Sequence, residues 1–208
     1  MIYDVSVPLT NSMPVWPSGP PIRLRSTPHL SRDGSYTINE TVIEMNSHMG
    51  THIDAPYHFV ADGKRLHEIS LDQLVGKATV FEIPDARSIG MTELKALNWD
   101  GVERVLFKTE NSKHWQDGVF YEDFVYLEPE GAEFLVERGI RLVGIDYLSI
   151  EKFRAEKHLT HFALLTKNVV VIEGLDLSRV PQGDYTMYAL PLNLHGVDGG
   201  PTRVILTN

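Results

Sequence analysis

The stretch His48-Met-Gly-Thr-His-Ile-Asp-Ala-Pro-Tyr-His58 puts three histidines and one carboxylate into eleven residues of a chain with nine histidines in all. How it is read decides the fold around it. A helix would set His48 and His52 on one face, as an i, i+4 metal pair. The residues argue against that helix. Gly50 and Thr51 are poor helix interiors, Pro56 pushes Ala55 towards extended geometry, and the preceding Thr41-Val-Ile-Glu-Met45 reads as strand. If the chain instead leaves that strand at His48, turns at Gly50 and re-extends, His52 and Asp54 share one face at the strand period of two. His48 then returns across the turn.

Imidazole with carboxylate and no thiolate suits Zn²⁺, Mn²⁺ or Fe²⁺, and three protein ligands leave positions open for water, a catalytic rather than a structural pattern. The chain has no cysteine, so any metal is held by nitrogen and oxygen. The plain alternative is a polar loop rich in imidazole, and spacing alone leaves both readings open. A second cluster lies downstream in His158-Leu-Thr-His161, and Glu173 closes the apolar run Val169-Val-Val-Ile172. A carboxylate buried there needs a partner or a metal; one just past the strand end would sit in water. His158 and His161 are spaced to share a helix face, and only one of them need be functional.

Strand-like segments recur at 3–7, 22–25, 36–45, 78–83, 105–108, 141–144, 169–172, 185–194 and 202–206, most bounded by Gly, Pro, Asn or Asp. A helix is predicted from Pro129 to an αL cap at Gly139, with others at 70–75, 92–97 and 159–166. The mixture predicts an α/β fold with more strand than helix, in one domain spanning residues 1–208. The stretch from Asn11 to Gly34, with five prolines, reads as an ordered loop or arm. A formal charge of −9 and no basic block oppose a nucleic-acid or anionic-membrane partner. No apolar run reaches membrane-spanning length and the first residues lack a cationic leader, so a soluble, cytoplasmic protein is expected.

The motif His48-x-Gly-Thr-His-x-Asp-Ala-Pro-x-His58 resembles the signature of the metal-dependent cyclase-like hydrolases, which include bacterial kynurenine formamidases (arylformamidases) and isatin hydrolases. The likeness extends through Asp4-Val-Ser-Val-Pro-Leu9, Pro14-Val-Trp-Pro17, Leu106-Phe-Lys-Thr109, Val143-Gly-Ile-Asp-Tyr-Leu-Ser149, His161 with Leu164-Leu165, Ala189-Leu-Pro-Leu192 and Gly199-Gly-Pro-Thr-Arg203. The resemblance implies a compact, β-rich α/β domain of the swivelling β/β/α type with mixed sheets, assembled as a homodimer or homotetramer. It further implies that His48, His52 and Asp54 bind a divalent metal, that Asp54 bridges to a second, and that His161 and Glu173 complete a two-metal set of Zn²⁺ or Mn²⁺. His58 matches the general acid/base, and Trp16 matches the aromatic residue lining the pocket of a small-molecule substrate. The formamidase pattern Trp-Pro-Gly-Asp is replaced here by Trp16-Pro-Ser-Gly-Pro-Pro21.

The activity so implied is hydrolysis of an amide, lactam or lactone bond by metal-activated water, in the manner of arylformamidases of tryptophan catabolism. A single-metal enzyme of the isatin hydrolase type, a cyclase, and a non-catalytic metal- or small-molecule-binding protein are the alternatives. No Gly-x-Ser-x-Gly elbow, P-loop or dinucleotide fingerprint points to another chemistry.

Overall fold

Leu142-Val-Gly-Ile145 and Val170-Val-Ile-Glu173 are buried at every position, the mark of strands covered on both faces. They are central in a computed structural model that describes residues 1–208. In chain order the strands begin with β1 (Ile2–Asp4), β2 (Arg23–Ser26), β3 (His29–Leu30), β4 (Thr37–Ile38), β5 (Thr41–Glu44), β6 (His52–Asp54) and β7 (Val75–Glu82). They continue with β8 (Ser88–Ile89), β9 (Arg104–Lys108), β10 (Tyr126–Leu127), β11 (Leu142–Ile145), β12 (Val170–Glu173), β13 (Gly183–Pro191) and β14 (Gly199–Thr207). The helices are α1 (Leu71–Leu74), α2 (Met91–Lys95), α3 (Pro129–Glu137) and α4 (Leu159–Leu165).

Seven strands close a barrel in the order β14-β13-β7-β9-β11-β12-β6, with β6 returning to β14 and β1 added along β14. The run from β7 through β9 and β11 to β12 is parallel, and the other barrel pairs are antiparallel. Parallel neighbours need crossovers. Those crossovers carry α2, α3 and α4.

Strand alternation sorts the apolar residues into two cores. Ile53, Val80, Leu106, Leu142, Ile172, Met187 and Val204 belong to one cluster, which fills the barrel. The alternate residues Val105, Phe107, Val143, Ile145 and Val171 face outward and pack with Leu94, Leu135 and Leu164 of the helices. On β6 and β12 the same parity turns His52, Asp54 and Glu173 outward, beside Val171 and towards α4.

The expected α/β, β-rich class with mixed strands is the one observed. The helix expected from Pro129 forms, and Gly139 takes φ +75° just past its end. Other segments differ. The strand expected over 36–45 is split into β4 and β5, which belong to separate two-stranded ribbons, β3/β4 and β2/β5. The helix expected over 70–75 is a single turn, because Val75 already starts β7. The strand expected to reach Leu194 stops at Pro191. The arm expected over Asn11–Gly34 extends further than that, as two ribbons reaching Glu44, and leaves Leu30, Tyr36 and Ile43 exposed. No helix is long and apolar enough to cross a membrane.

Candidate metal centre

Gly50 adopts φ +64°, a conformation that favours glycine in the turn after His48, and a Cβ there would also have to displace the Leu9 methyl group 2.4 Å away. The chain then enters β6, which is wedged between β12 and β14. His52 pairs across with Glu173, and Asp54 with Val171. Antiparallel pairing thus puts Glu173 beside His52, although they are far apart in sequence. Glu173 is the last residue of β12 and is buried, so it does not sit in water past the strand end. α4 delivers His161 to the same face, with Nε2 3.2 Å from Glu173 Oε1 and 3.7 Å from Asp54 Oδ2.

The five residues matched to a ligand set are brought together. His52 Nε2 lies 3.4 Å from both Asp54 Oδ1 and Glu173 Oε2. His48 Nδ1 is 2.7 Å from Asp54 Oδ1. Each carboxylate therefore stands among histidines, Asp54 among three and Glu173 between two: Asp54 offers Oδ1 towards His48 and His52 and Oδ2 towards His161, while Glu173 offers Oε1 to His161 and Oε2 to His52. Two small groups of ligand atoms share Asp54, one with His48 and His58 and one with His52 and Glu173.

Burying this much charge without lysine or arginine has large electrostatic consequences. Burial works against charge on His52, but Asp54 and Glu173 outweigh it and hold the imidazole up at about 10. His161 is likewise resisted by burial and held up at about 10 by Glu151 and Glu173. Burial also opposes ionisation of Asp54, and His48 and His52 overcome it, keeping the carboxyl well below its usual range. His58 goes the other way. Burial pushes its imidazole down, with Asp54 only partly opposing.

The site fits a divalent ion on its own geometry. His52 Nε2 and Asp54 Oδ2 are buried and have no hydrogen-bond partner, and buried polar atoms are rarely left so. The back of the His52 ring is anchored, because Nδ1–H donates to the Gly50 carbonyl at 2.9 Å. Once the ring is neutral, as a metal ligand must be, that tautomer leaves the Nε2 lone pair facing the carboxylates. An all nitrogen and oxygen donor set of this kind holds first-row divalent metals.

His58 is not in a strand. Pro56 blocks a long helix, as expected, yet opens one 3₁₀ turn, Pro56–His58. That turn swings the His58 ring onto His48, with centroids 3.9 Å apart. Trp16 lies edge-on to Phe120 and Phe153, with centroids at 5.4 and 5.1 Å. It belongs to an aromatic cluster with Tyr147 and also lines a cavity of about 710 Å³. The walls of this cavity include His48, His58, His161 and Glu173, so the aromatic wall shares one space with three of the five residues of the ligand set, while His52 and Asp54 lie buried behind them.

Two contributors were not foreseen. Asp198 accepts from His48 Nε2–H at 2.8 Å and lies 3.3 Å from His58 Nδ1. Glu151 accepts from Nδ1–H of both His158 and His161 at 2.8 Å. Their sequence signals were slight: an acid before Gly199-Gly-Pro201 and an acid directly after Ser149-Ile150. His158, the near neighbour of His161, is half exposed and turns towards Glu151 rather than the cluster. His29, His67, His114 and His195 lie outside the cavity wall.

Comparison with known proteins follows the same lines. The family model described as "Putative cyclase" matches residues 3–152. Kynurenine formamidase from Bacillus cereus (strain ATCC 14579) is 36% identical over 98% of this chain and 95% of its own length. That from Bacillus anthracis is 34% identical over the same shares. Among solved structures, a predicted metal-dependent hydrolase from Bacillus stearothermophilus superposes with TM-score 0.84 at 36% identity, covering 99% of this chain and 97% of that one. Isatin hydrolase A from Labrenzia aggregata shares the fold, with TM-score 0.82 at 22% identity over 99% and 93% of the two chains. The resemblance first visible in residues 48–58 therefore extends over the whole chain, and the protein belongs to the cyclase family.

Proposed function

We propose that this chain is a metal-dependent hydrolase of a non-peptide C–N bond in a small substrate, with arylformamidase chemistry as the leading case. The observation that carries the proposal is the pair of buried, unpartnered atoms, His52 Nε2 and Asp54 Oδ2, facing Glu173 and His161 at one wall of an aromatic-lined cavity. Identity to kynurenine formamidases over nearly the full length supports the substrate class.

His48, His52, Asp54, His161 and Glu173 would hold the metal, and the two-sided placement of Asp54 and Glu173 supports two ions, Zn²⁺ or Mn²⁺. When bound, such ions supply Lewis acidity that polarises an acyl carbonyl and makes water nucleophilic near neutral pH. His58, partly exposed at the cavity wall, takes the proton of the attacking water and delivers it to the leaving nitrogen. The C–N bond of a formamide breaks as the new C–O bond forms, leaving formate and an amine. Trp16, Phe153 and Phe59 offer flat apolar walls for an aryl group.

Metal content and turnover of untagged protein on N-formylkynurenine, isatin and simple lactones test this reading. Two transition-metal ions per chain with formamide cleavage support it. Absence of bound transition metal overturns it, and cleavage of isatin with a single ion would select the isatin hydrolase-like alternative. The exposed Leu30, Tyr36 and Ile43 of the arm also support assembly as a homodimer or homotetramer, to be checked by light scattering.

A further inference from the structure

The carboxylate of Glu151 is buried and has no lysine or arginine partner. Its Oε1 accepts from the Thr160 N–H at 2.8 Å, and its Oε2 accepts from Nδ1–H of His161 and of His158, both at 2.8 Å. A buried carboxylate is costly, and an apolar residue in its place would pack more cheaply. What Glu151 does that an apolar side chain could not is hold a proton on His161 Nδ1. The opposite nitrogen, Nε2, then faces Glu173 and Asp54 with its lone pair free once the ring is neutral.

We propose that Glu151 is the positioning residue that fixes the tautomer and ring plane of His161 so that Nε2 can ligate metal. The inference rests on the metal-centre reading given above. It has a counterpart on the other side of the site, where the Gly50 carbonyl holds Nδ1–H of His52 in the same manner. The two histidines that flank Glu173 are thus anchored from behind, one by a backbone carbonyl and one by a carboxylate.

The segment that carries Glu151 also grips the next ligand. The Ile150 N–H donates to Glu173 Oε1 at 2.7 Å and the Ser149 hydroxyl lies 3.4 Å from the same oxygen, while the Glu151 N–H is tied to the Ser149 hydroxyl at 3.1 Å. Residues 149–151 therefore orient His161 through a side chain and Glu173 through the backbone. His158 uses the second acceptor direction of Glu151 Oε2 and is half exposed, so it adds to the hydrogen bonding of the carboxylate without reaching the ligand set.

The test is metal titration of the wild type, Glu151→Gln and His158→Ala, each first stripped of metal and then titrated with Mn²⁺, with kcat and KM measured on the reloaded proteins. A glutamine amide cannot accept on both sides. Turned one way its NH₂ meets the Thr160 N–H, and turned the other it meets the imidazole and favours the proton on Nε2, the wrong nitrogen. Glu151→Gln should weaken the ion held by His161 by about 10- to 100-fold and lower kcat more than it raises KM. His158→Ala should leave Mn²⁺ affinity within about twofold, well short of the loss expected when an outer-shell partner is removed.

Wild-type affinity in a folded Glu151→Gln would overturn the inference. So would an equal loss in His158→Ala, which would make Glu151 and His158 part of a binding site of their own. ¹⁵N NMR of Zn²⁺-loaded wild type gives a test that needs no variant: the proton of His161 is expected on Nδ1, and finding it on Nε2 overturns the proposal. Wild type that binds no metal overturns the metal-centre reading itself, and this inference with it. Wild type that binds while Glu151→Gln binds equally well refutes only the role of Glu151.

Discussion

His58 stands apart from the other histidines of its motif in electrostatics as well as position. Burial pushes its imidazole down, whereas His52 and His161 are held up at about 10 by the carboxylates around them. His58 does have Asp198 3.3 Å from Nδ1, but burial outweighs the nearby carboxylates, so its imidazole is the one suited to exchange a proton with substrate. His58→Ala is expected to keep its full metal content and to lose about 10²-fold or more in turnover. Metal analysis beside steady-state rates checks this, and loss of an ion in the variant would make His58 a ligand instead. The chemistry of such residues was readable from their types, since imidazole and carboxylate bind the same metals in any fold. The supporting Asp198 and Glu151 were not, because an acid becomes a histidine anchor only when folding brings it to the back of a ring.

Strands and turns set the tolerances of the site. Gly174 follows β12 directly, with φ +75°, and a Cβ on it would fall 2.0 Å from the Gly50 carbonyl oxygen. That carbonyl holds His52 Nδ1. Gly174→Ala should therefore strain the backbone by about 1–3 kcal/mol and, by displacing Gly50, weaken metal binding as well. Urea unfolding and metal titration of the variant measure the two effects, and an unchanged affinity would mean that the turn yields without moving His52.

In the arm, the loop joining β3 to β4 is closed by Asp33, which takes hydrogen bonds from the hydroxyls of Ser31 and Ser35 and from the Ser35 N–H. These bonds lower the carboxyl from 3.8 to about 2. A depressed carboxylate contributes order above its unfolded value and loses it as pH falls through the folded one. The loop is thus expected to keep its full order above about 3.8 and to lose it progressively as pH falls towards about 2. Carboxyl ¹³C titration should show that midpoint, and Ser31→Ala should move it back towards 3.8.

On the scale of the molecule, the barrel brings together residues that are remote in sequence, and a bound metal acts as a further crosslink among β6, β12 and α4. Chelation is expected to lower the melting temperature. Ions present at about a thousand times their Kd contribute roughly 4 kcal/mol, which for a chain of this size corresponds to roughly 8–16 °C. Scanning calorimetry with and without chelator reads the shift directly, and no shift would count against a metal centre that spans these elements.

Most of the apolar strands that build the barrel were visible beforehand, as was the helix opened by Pro129 and closed by Gly139, whereas the closure of β6 onto β14 was not. The two-residue strands and the division of residues 36–45 between two ribbons were not, because such short pairings depend on the partner strand rather than on local preference.

Local residues decided that His48 to His58 is not a continuous helix, because Gly50, Thr51 and Pro56 disfavour one, and that any metal held there is bound through nitrogen and oxygen, because no cysteine offers sulfur. They also carried the family likeness. Which distant groups complete the site was decided only by barrel closure. Pairing of β6 with β12 sets Glu173 against His52, the crossover through α4 chooses His161 over His158, and the turn after β11 places Glu151 behind His161. Spacing along a chain reports faces and turns, whereas contacts between remote residues exist only once strand register and crossover direction are set.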